Sequence, residues 1–151
     1  MKRFVLAVII AALTASCAFG AVKDFGKFTL DIPEGWTAEL ADDTEEGYYT
    51  VNIEKSGKTS SMSFTYAPTN EYSLEDLLED WTNMEVNASK PERTSDGYYT
   101  YTYKNDDGKK TVSYVRSEAN RMYVAVDMIG DDVKTMTAIR DSFALKSEPK
   151  K

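Results

Sequence analysis

The spacing of the apolar residues changes period along this chain, and that change constrains the fold more than any other feature. Phe28, Leu30 and Ile32 alternate with polar residues, as they do in a strand with one buried face. Trp36 begins a second extended segment, and the alternation returns in five later ones: 49–53, 62–66, 99–103, 111–117 and 122–128. Repeated alternation between turns predicts an antiparallel sheet.

Two segments have the helical period instead. Over 74–86 the apolar residues fall at i, i+3, i+4 and i+7, and Ser73 with Asp76 forms a capping box at the start. A second helix is predicted over 132–144, with Asp131 placed to cap it. The element order ββββαβββα then predicts one α+β domain over 21–145 and a flexible tail over 146–151. We expect Trp36 and Trp81 to lie in its core.

The word GYYT occurs twice, at 47–50 and at 97–100, each time at the start of a predicted strand–turn–strand unit. The first unit leads into a helix, whereas the second leads into another strand. Hairpins draw on a small vocabulary of Tyr, Thr, Val and Gly, so convergence is the simpler explanation. Duplication stays open as the alternative, although a repeat architecture would sustain its period over several units.

Residues 1–20 have the three parts of a secretory signal peptide. Two basic residues come first, an apolar run spans 4–13, and Ala18 and Gly20 place small residues before a cut at Ala21. The apolar run is shorter than the roughly 20 residues that span a bilayer. We therefore expect an exported protein, periplasmic or secreted, whose mature chain begins at Ala21.

Cys17 is the only cysteine, and it lies inside this segment. The stretch LTASC at 13–17 resembles a bacterial lipoprotein signal, but Leu13 stands one position too far from the cysteine. Cleavage without lipid is favoured, and a membrane-anchored lipoprotein is the alternative. The mature domain has no disulfide in either form, so an exported fold has to rely on its core.

The chain is acidic, with a net charge of −7 from 18 Lys and Arg against 25 Asp and Glu. Loss of Lys2 and Arg3 with the signal peptide makes the charge two units more negative. Phosphate backbones and anionic membranes both attract Lys and Arg. We therefore expect no nucleic-acid partner, and no strong membrane association unless Cys17 is lipidated.

The stretch FGKFTLDIPEGW at 25–36 is a predicted strand followed by Pro33, Gly35 and Trp36. This Pro-x-Gly-Trp word, with the element order over nearly the whole mature chain, resembles the PsbP-like, Mog-like and DcrB-like superfamily. The resemblance implies an antiparallel meander sheet with helices packed on both faces. It also implies an accessory, binding or assembly protein, and it carries no catalytic residue over to this chain.

Histidine is absent, and the expected mature form also lacks cysteine. These absences exclude Ser-His-Asp and Cys-His catalysis, as well as zinc held by His or Cys. We therefore predict a non-catalytic accessory or binding protein of the bacterial cell envelope, with a protein partner there and with no cofactor, metal or catalytic residue. The alternative is a carboxylate-dependent hydrolase acting outside the cytoplasm, although the sequence nominates no particular pair of acids.

Tyrosine is abundant, with 10 residues, and its ring and hydroxyl suit both cores and binding surfaces. The alternation assigns Tyr49, Tyr99 and Tyr101 to the core. Tyr48 and Tyr98 share their faces with Thr and Asn, and they are our candidate binding residues.

The sequence also contains two acidic clusters, which we interpret as solvated surface. The first comprises residues 75, 76, 79 and 80, with a cation site or a basic-partner site as the alternative. The second comprises residues 42, 43, 45 and 46, with a calcium site as the alternative.

Overall fold

The computed structural model describes residues 20–42 and 45–147, which form two antiparallel sheets and two helices. The strands are β1 (Ala21–Asp24), β2 (Phe28–Ile32), β3 (Trp36–Leu40), β4 (Tyr49–Lys55), β5 (Ser60–Pro68), β6 (Glu92–Arg93), β7 (Tyr99–Lys104), β8 (Lys110–Glu118), β9 (Met122–Gly130) and β10 (Ala144–Leu145). The helices are α1 (Leu74–Met84) and α2 (Val133–Asp141). The predicted α+β class with antiparallel pairing is confirmed. The predicted signal peptide lies outside the described residues apart from Gly20.

The larger sheet has seven strands in the order β3-β4-β5-β9-β8-β7-β6. It consists of two meanders that meet at its centre, where β5 pairs with β9 and Phe64 faces Val126. The smaller sheet has the order β1-β2-β10. Helix α1 connects the two meanders, since it lies between β5 and β6 in the chain.

One face of the larger sheet, which we call the closed face, is covered by the smaller sheet and by α2. Phe64 and Val126 point to this side and are fully buried, as are Phe28 of β2 and Met136 of α2. The rings of Phe28 and Phe64 lie 5.3 Å apart. This apolar layer is the main core of the domain.

The opposite face, which we call the open face, is covered over only part of its area. Helix α1 packs there through Leu74 and Leu78, against Tyr101, Val115 and Tyr123. Because side chains alternate along a strand, Tyr123 and Val124 belong to opposite faces. The two helices therefore lie on opposite faces of the sheet. Helix α1 leaves the far side of the open face uncovered, where Thr37 and Glu39 of β3 and Asn52 of β4 are exposed.

The capping box at Ser73 is confirmed, since its hydroxyl accepts from the backbone N–H of Asp76 at 3.1 Å. The second helix is shorter than predicted, because Asp132 caps it and Ala144 already belongs to β10. Gly130 permits the sharp exit from β9, since it has a φ of +110° and a Cβ there would lie 2.4 Å from a backbone oxygen.

Three strands were not predicted, and each lacks a sequence pattern. All residues of β1 are exposed, so it has no alternation, and β6 and β10 contain two residues each. The predicted tail also begins too early. Lys146 donates its backbone N–H to Lys27 at 2.9 Å and pairs with Asp24 at 2.6 Å, which holds the chain beyond β10.

The two GYYT words start strands, as predicted, but their side chains are out of phase. Tyr49 pairs with Tyr66 and points to the closed face, and in the second word it is Tyr98 that lies on this face. Tyr99 packs with the open-face cluster. A shift of one residue reverses every side chain of a strand, so the words are not equivalent positions in the sheet.

Across the described ranges, no helix combines the length and apolar character needed to cross a membrane.

Candidate ligand-binding groove

The structure does not bring the two candidate tyrosines together. Tyr48 is half-buried beside the open-face cluster, and its hydroxyl accepts from the Asn70 amide at 3.2 Å. Tyr98 is 2% exposed and belongs to the core of the closed face. The expectation that Tyr98 lies on the surface is therefore wrong.

Charged side chains explain the burial of Tyr98. Its ring lies between the guanidinium groups of Arg116 and Arg140, at 4.7 and 4.4 Å from the ring centre. Arg140 is itself buried and pairs with Asp96 at 2.8 Å. Thr100 and Thr102 made this face of β7 look polar in the sequence. At the start of β7, however, the face is packed with the rings of Tyr98 and Tyr114 and the guanidinium groups of the two arginines.

Two adjoining cavities lie on the open face, one against the C-terminal end of α1 and one over the part that α1 leaves uncovered. The first, the aromatic pocket, has a volume of about 230 Å³ and is lined by Thr65, Trp81, Glu85, Tyr101, Tyr103, Ser113, Tyr123, Ala125 and Asp127. The second, the polar trough, has a volume of about 580 Å³ and is lined by Thr37, Glu39, Asn52, Ile53, Glu54, Ser61, Met62, Ser63, Tyr103, Asn105, Thr111, Asp127 and Ile129. They share Tyr103 and Asp127, and we call them together the acidic groove.

Asp127 occupies the centre of this groove. It lies on β9 between Ser113 of β8 and Ser63 of β5, so small side chains flank its carboxyl group on both sides. Burial raises the pKa of Asp127, and the hydroxyls of Ser113 and Tyr103 act in the opposite direction as hydrogen-bond donors. Among the described residues, no Lys or Arg forms an ion pair with it.

Glu85 supplies the second carboxyl group of the aromatic pocket. It caps the C-terminus of α1, where its backbone N–H donates to the carbonyl of Trp81 at 3.1 Å. The next residue, Val86, is held to β7 through its carbonyl, which accepts from Lys104 at 2.9 Å. The pKa of Glu85 is raised, mainly by burial and then by the negative charges of Asp127 and Asp106.

Aromatic rings form the walls of the pocket. Trp81 packs edge-on against Tyr123 with 5.3 Å between the ring centres, and Tyr101 lies 5.9 Å from Tyr103. Burial raises the pKa of Tyr101 to about 12 and that of Tyr123 to about 12, so both hydroxyls stay protonated at neutral pH. Trp36 is buried as expected, whereas Trp81 is only partly buried because it lines this pocket.

The pocket escaped sequence-based prediction for a physical reason. Asp127 occupies a polar position of an alternating strand, where an acidic residue normally faces solvent. Glu85 follows the last apolar residue of α1 and resembles an ordinary helix end. Their proximity depends on the pairing of β9 with β8 and on the docking of α1, which no local pattern specifies. The available signal was an acid between apolar residues, in the stretch VAVDMI at 124–129.

The two acidic clusters noted in the sequence remain at the surface. Glu75, Asp76, Glu79 and Asp80 are exposed on α1, where Glu75 accepts from the Tyr99 hydroxyl at 3.3 Å. In the loop after β3, residues 42, 45 and 46 are exposed and residue 43 lies outside the described residues. Within the part of the chain that the structure describes, no group of three or more Asp, Glu, His or Cys residues is arranged to hold a metal ion.

No family model matches this chain, and no curated protein matches it either. The case for a functional site therefore comes from the geometry of the groove.

Proposed function

We propose that this protein is an exported, non-catalytic binding or accessory protein of the bacterial cell envelope, and that it binds its ligand in the acidic groove. We further propose that its fold belongs to the PsbP-like, Mog-like and DcrB-like superfamily. The antiparallel sheet with one helix on each face supports the fold assignment. The segment at 1–20 supports export.

The observation that carries the proposal is the partly buried carboxyl group of Asp127, which lies at the junction of the two cavities and pairs with no Lys or Arg of the described residues. A carboxylate that is taken out of water without a cation destabilises the fold. Such groups gather at functional sites, where the energetic cost is tolerated because a ligand compensates for it. The seven-stranded sheet adds a rigid platform for that site.

The position of the groove also supports binding. Ligand sites are concave and combine apolar or aromatic walls with a few convergent polar groups. The aromatic pocket has this composition, with Trp81 and Tyr123 on one side and Glu85 and Asp127 as the ionisable groups. The part of the open face that α1 leaves uncovered is where a ligand or partner has access.

A carboxylate-dependent hydrolase is the second candidate, and one observation favours it. Glu85 and Asp127 line one pocket, and burial raises the pKa of both. An acid with a raised pKa beside a second carboxylate is the arrangement that glycosidases use. Against the hydrolase, the hydroxyls of Ser113 and Tyr103 donate to Asp127 and favour its ionised form. An ionised carboxylate is suited to binding a positively charged ligand and not to donating a proton.

Indole N–H resonances offer a direct test, because the chain has only two tryptophans. Trp81 lines the pocket, whereas Trp36 lies on β3 outside both cavities. A panel of small polar metabolites is added to nitrogen-labelled protein. Binding in the groove shifts the Trp81 signal and leaves Trp36 in place, and Asp127→Asn weakens the effect.

The outcomes separate the two candidates. If no compound moves the Trp81 resonance, or if Asp127→Asn changes nothing, the groove is not the binding site. If a compound is instead converted to product, and Glu85→Gln stops the conversion while binding persists, the hydrolase is the correct assignment. Asp31→Asn is the matched control, because Asp31 is exposed on β2 in the smaller sheet, which packs against the closed face.

A further inference from the structure

We infer that the acidic groove binds a small organic cation, an amine or quaternary ammonium compound, with Asp127 as its counter-ion and the aromatic pocket around its charged group. This inference rests on the proposed function, since it names the class of ligand that the groove takes. It follows from the charge of the lining, from the rings and from the size of the cavities.

Every charged side chain that lines the groove is acidic. Its ionisable carboxyl groups are Glu39, Glu54, Glu85 and Asp127, and none of the described residues that line it is Lys or Arg. The ammonium of Lys58 lies 3.8 Å from Glu54, but Lys58 is highly exposed and lines neither cavity. The negative charge of the groove is therefore not balanced by a lining residue, and a positively charged ligand would balance it.

Other acids of this protein show the contrast. Asp132 pairs with Lys55 at 2.8 Å, and Asp24 pairs with Lys146 at 2.6 Å. These partners lower the pKa of Asp132 and of Asp24, chiefly through a side-chain hydrogen bond in each case. Asp127 is partly buried, as Asp132 is, but among the described residues its hydrogen-bond donors are the hydroxyls of Ser113 and Tyr103 and not a cation. Asp132 and Asp24 each form an ion pair with a lysine, whereas no Lys or Arg of the described residues forms one with Asp127.

Aromatic rings around an unpaired carboxylate recognise organic cations. The face of a tyrosine or tryptophan ring carries partial negative charge and attracts an ammonium group within about 6 Å of its centre. Four aromatic residues line the pocket: Tyr101 and Tyr123 are buried in its wall, and Trp81 and Tyr103 are partly exposed. A methylated or alkylated ammonium gains most from them, because its apolar substituents also replace water against the ring surfaces.

The end of helix α1 strengthens the same preference. The carbonyl groups at a helix C-terminus carry partial negative charge and favour a nearby cation. The last turn of α1 contains no basic residue, and its cap is Glu85. The Glu85 carboxylate is repelled by the partial negative charge at this end of the helix. A cation bound beside Glu85 would be attracted both to that carboxylate and to the helix end.

An organic cation fits better than a metal ion. Calcium takes 6 to 8 oxygen ligands at short distance, and magnesium needs an octahedral set. Among the described residues, no group of three or more Asp, Glu, His or Cys is arranged to hold a metal ion. The pocket, of about 230 Å³, instead has room for an alkylammonium group with its substituents.

The polar trough extends the site toward the edge of the sheet. Asp127 pairs with Ser63, Ser63 with Asn52 and Asn52 with Glu39, so these four residues lie in one row on the open face. Three steps between strands of about 4.8 Å place Glu39 roughly 14 Å from Asp127 along that row. A long linear diamine or a polyamine can place one ammonium group near each of these acids.

Isothermal titration of the purified protein with matched probes tests the inference. Choline carries the cation, and 3,3-dimethyl-1-butanol has nearly the same shape without the charge. Spermidine tests the longer ligand, and magnesium chloride tests a bare divalent ion. We expect binding of choline or spermidine at least about tenfold tighter than that of the neutral alcohol, a difference of about 1.4 kcal/mol.

Variants place the ligand in the groove. Asp127→Asn is expected to weaken cation binding by about tenfold or more, and Trp81→Leu to weaken it severalfold through loss of a ring. Trp81→Phe keeps an aromatic face and retains most of the affinity. Asp31→Asn removes one negative charge elsewhere and is expected to leave affinity unchanged within about twofold at physiological salt.

The failure of this inference is distinct from the failure of the proposed function. Equal binding of choline and its neutral analogue, tighter binding of magnesium, or no effect of Asp127→Asn relative to Asp31→Asn would overturn the cation assignment. A non-cationic compound that still shifts the Trp81 resonance would do the same while preserving the groove as the binding site. If no compound of any class shifts that resonance, both proposals fail.

Discussion

The guanidinium group of Arg140 lies 4.4 Å from the centre of the Tyr98 ring, and this contact closes the core at one end of the sheet. The same guanidinium also lies 4.6 Å from the Tyr114 ring and pairs with Asp96 at 2.8 Å. A buried arginine is stable only when its donors and its charge are matched. Tyr98 is therefore part of a structural cluster, which accounts for its burial in a stretch that resembles a surface strand.

Replacing Tyr98 by alanine should destabilise the protein strongly. Tyr98→Ala leaves a cavity beside two guanidinium groups, and we expect it to lower the free energy of unfolding by ~3–5 kcal/mol, as for other large aromatic truncations. Tyr98→Phe keeps the ring in place and should retain most of the stability. Urea unfolding followed by circular dichroism measures both. A small loss for Tyr98→Ala, no greater than that for the half-buried Tyr48→Ala, would contradict the packed cluster.

The capping box of α1 gives a second, smaller prediction. Ser73→Ala removes the hydroxyl that accepts from the Asp76 N–H at 3.1 Å, and it also removes the hydroxyl contact to the Asp76 carboxylate. We expect a loss of about 1 kcal/mol in the free energy of unfolding. Ser73→Thr preserves the hydroxyl as both acceptor and donor and serves as the control. An equal loss in both variants would show that the cap contributes nothing specific.

Local patterns were sufficient for most of the fold. The alternation at Phe28, Leu30 and Ile32 gave a strand, and the spacing after Ser73 gave a helix, because both depend on contacts a few residues apart. The strand pairs β4–β5 and β7–β8 follow from short turns. Strand β1 was missed because it is an exposed edge, held by backbone hydrogen bonds to β2 that no side-chain pattern encodes.

The candidate site depended on long-range contacts and could not be predicted. Asp127 and Glu85 are 42 positions apart and meet only once α1 is docked on the sheet. Tyr98 was misassigned because periodicity identifies which residues share a face and does not tell what covers that face. Two arginines cover it here, and they come from β8 and α2.

The two tryptophans should respond differently to truncation. Trp36 is 9% exposed in the main core, whereas Trp81 is only partly buried because it borders the aromatic pocket. Trp36→Ala should cost ~3–5 kcal/mol, and Trp81→Ala should cost less. Thermal unfolding of the two variants under the same conditions makes the comparison. The reverse order of melting temperatures would show that Trp81 is a core residue rather than a wall of the groove.

Export predicts a defined mature terminus. Intact-mass measurement on protein recovered from its host should give a chain that begins at Ala21, with no lipid attached. A Cys17→Ser variant should then be processed and released like the wild type, because the cysteine leaves with residues 1–20. A diacyl modification on Cys17, or retention of the variant as an unprocessed precursor, would instead establish the lipoprotein alternative.

The raised pKa of Asp127 makes stability depend on pH in a definite direction. Burial raises this pKa in the folded protein, whereas an unfolded aspartate titrates near pH ~3.9. At pH values between the pKa of the unfolded aspartate and the higher pKa of folded Asp127, the folded state binds more protons than the unfolded state. The free energy of unfolding therefore falls as the pH rises through this window. Glu85 is shifted in the same direction and adds to the effect, and the hydroxyls of Tyr103 and Ser113 reduce it at Asp127.

Asp127→Asn should therefore be more stable than the wild type at pH ~7, with an advantage that shrinks as the pH is lowered toward ~4. The amide fills the same space and accepts from the same hydroxyls, but it carries no charge to desolvate. Urea midpoints at several pH values provide the measurement, and Asp31→Asn provides a change of equal charge at an exposed site. A cation that occupies the groove should make the wild type more stable than Asp127→Asn, because the cation interacts with the ionised carboxylate of the wild type and finds no such charge in the variant. If Asp127→Asn is less stable than the wild type at neutral pH without ligand, the carboxylate has an internal partner and the groove does not hold an unpaired charge.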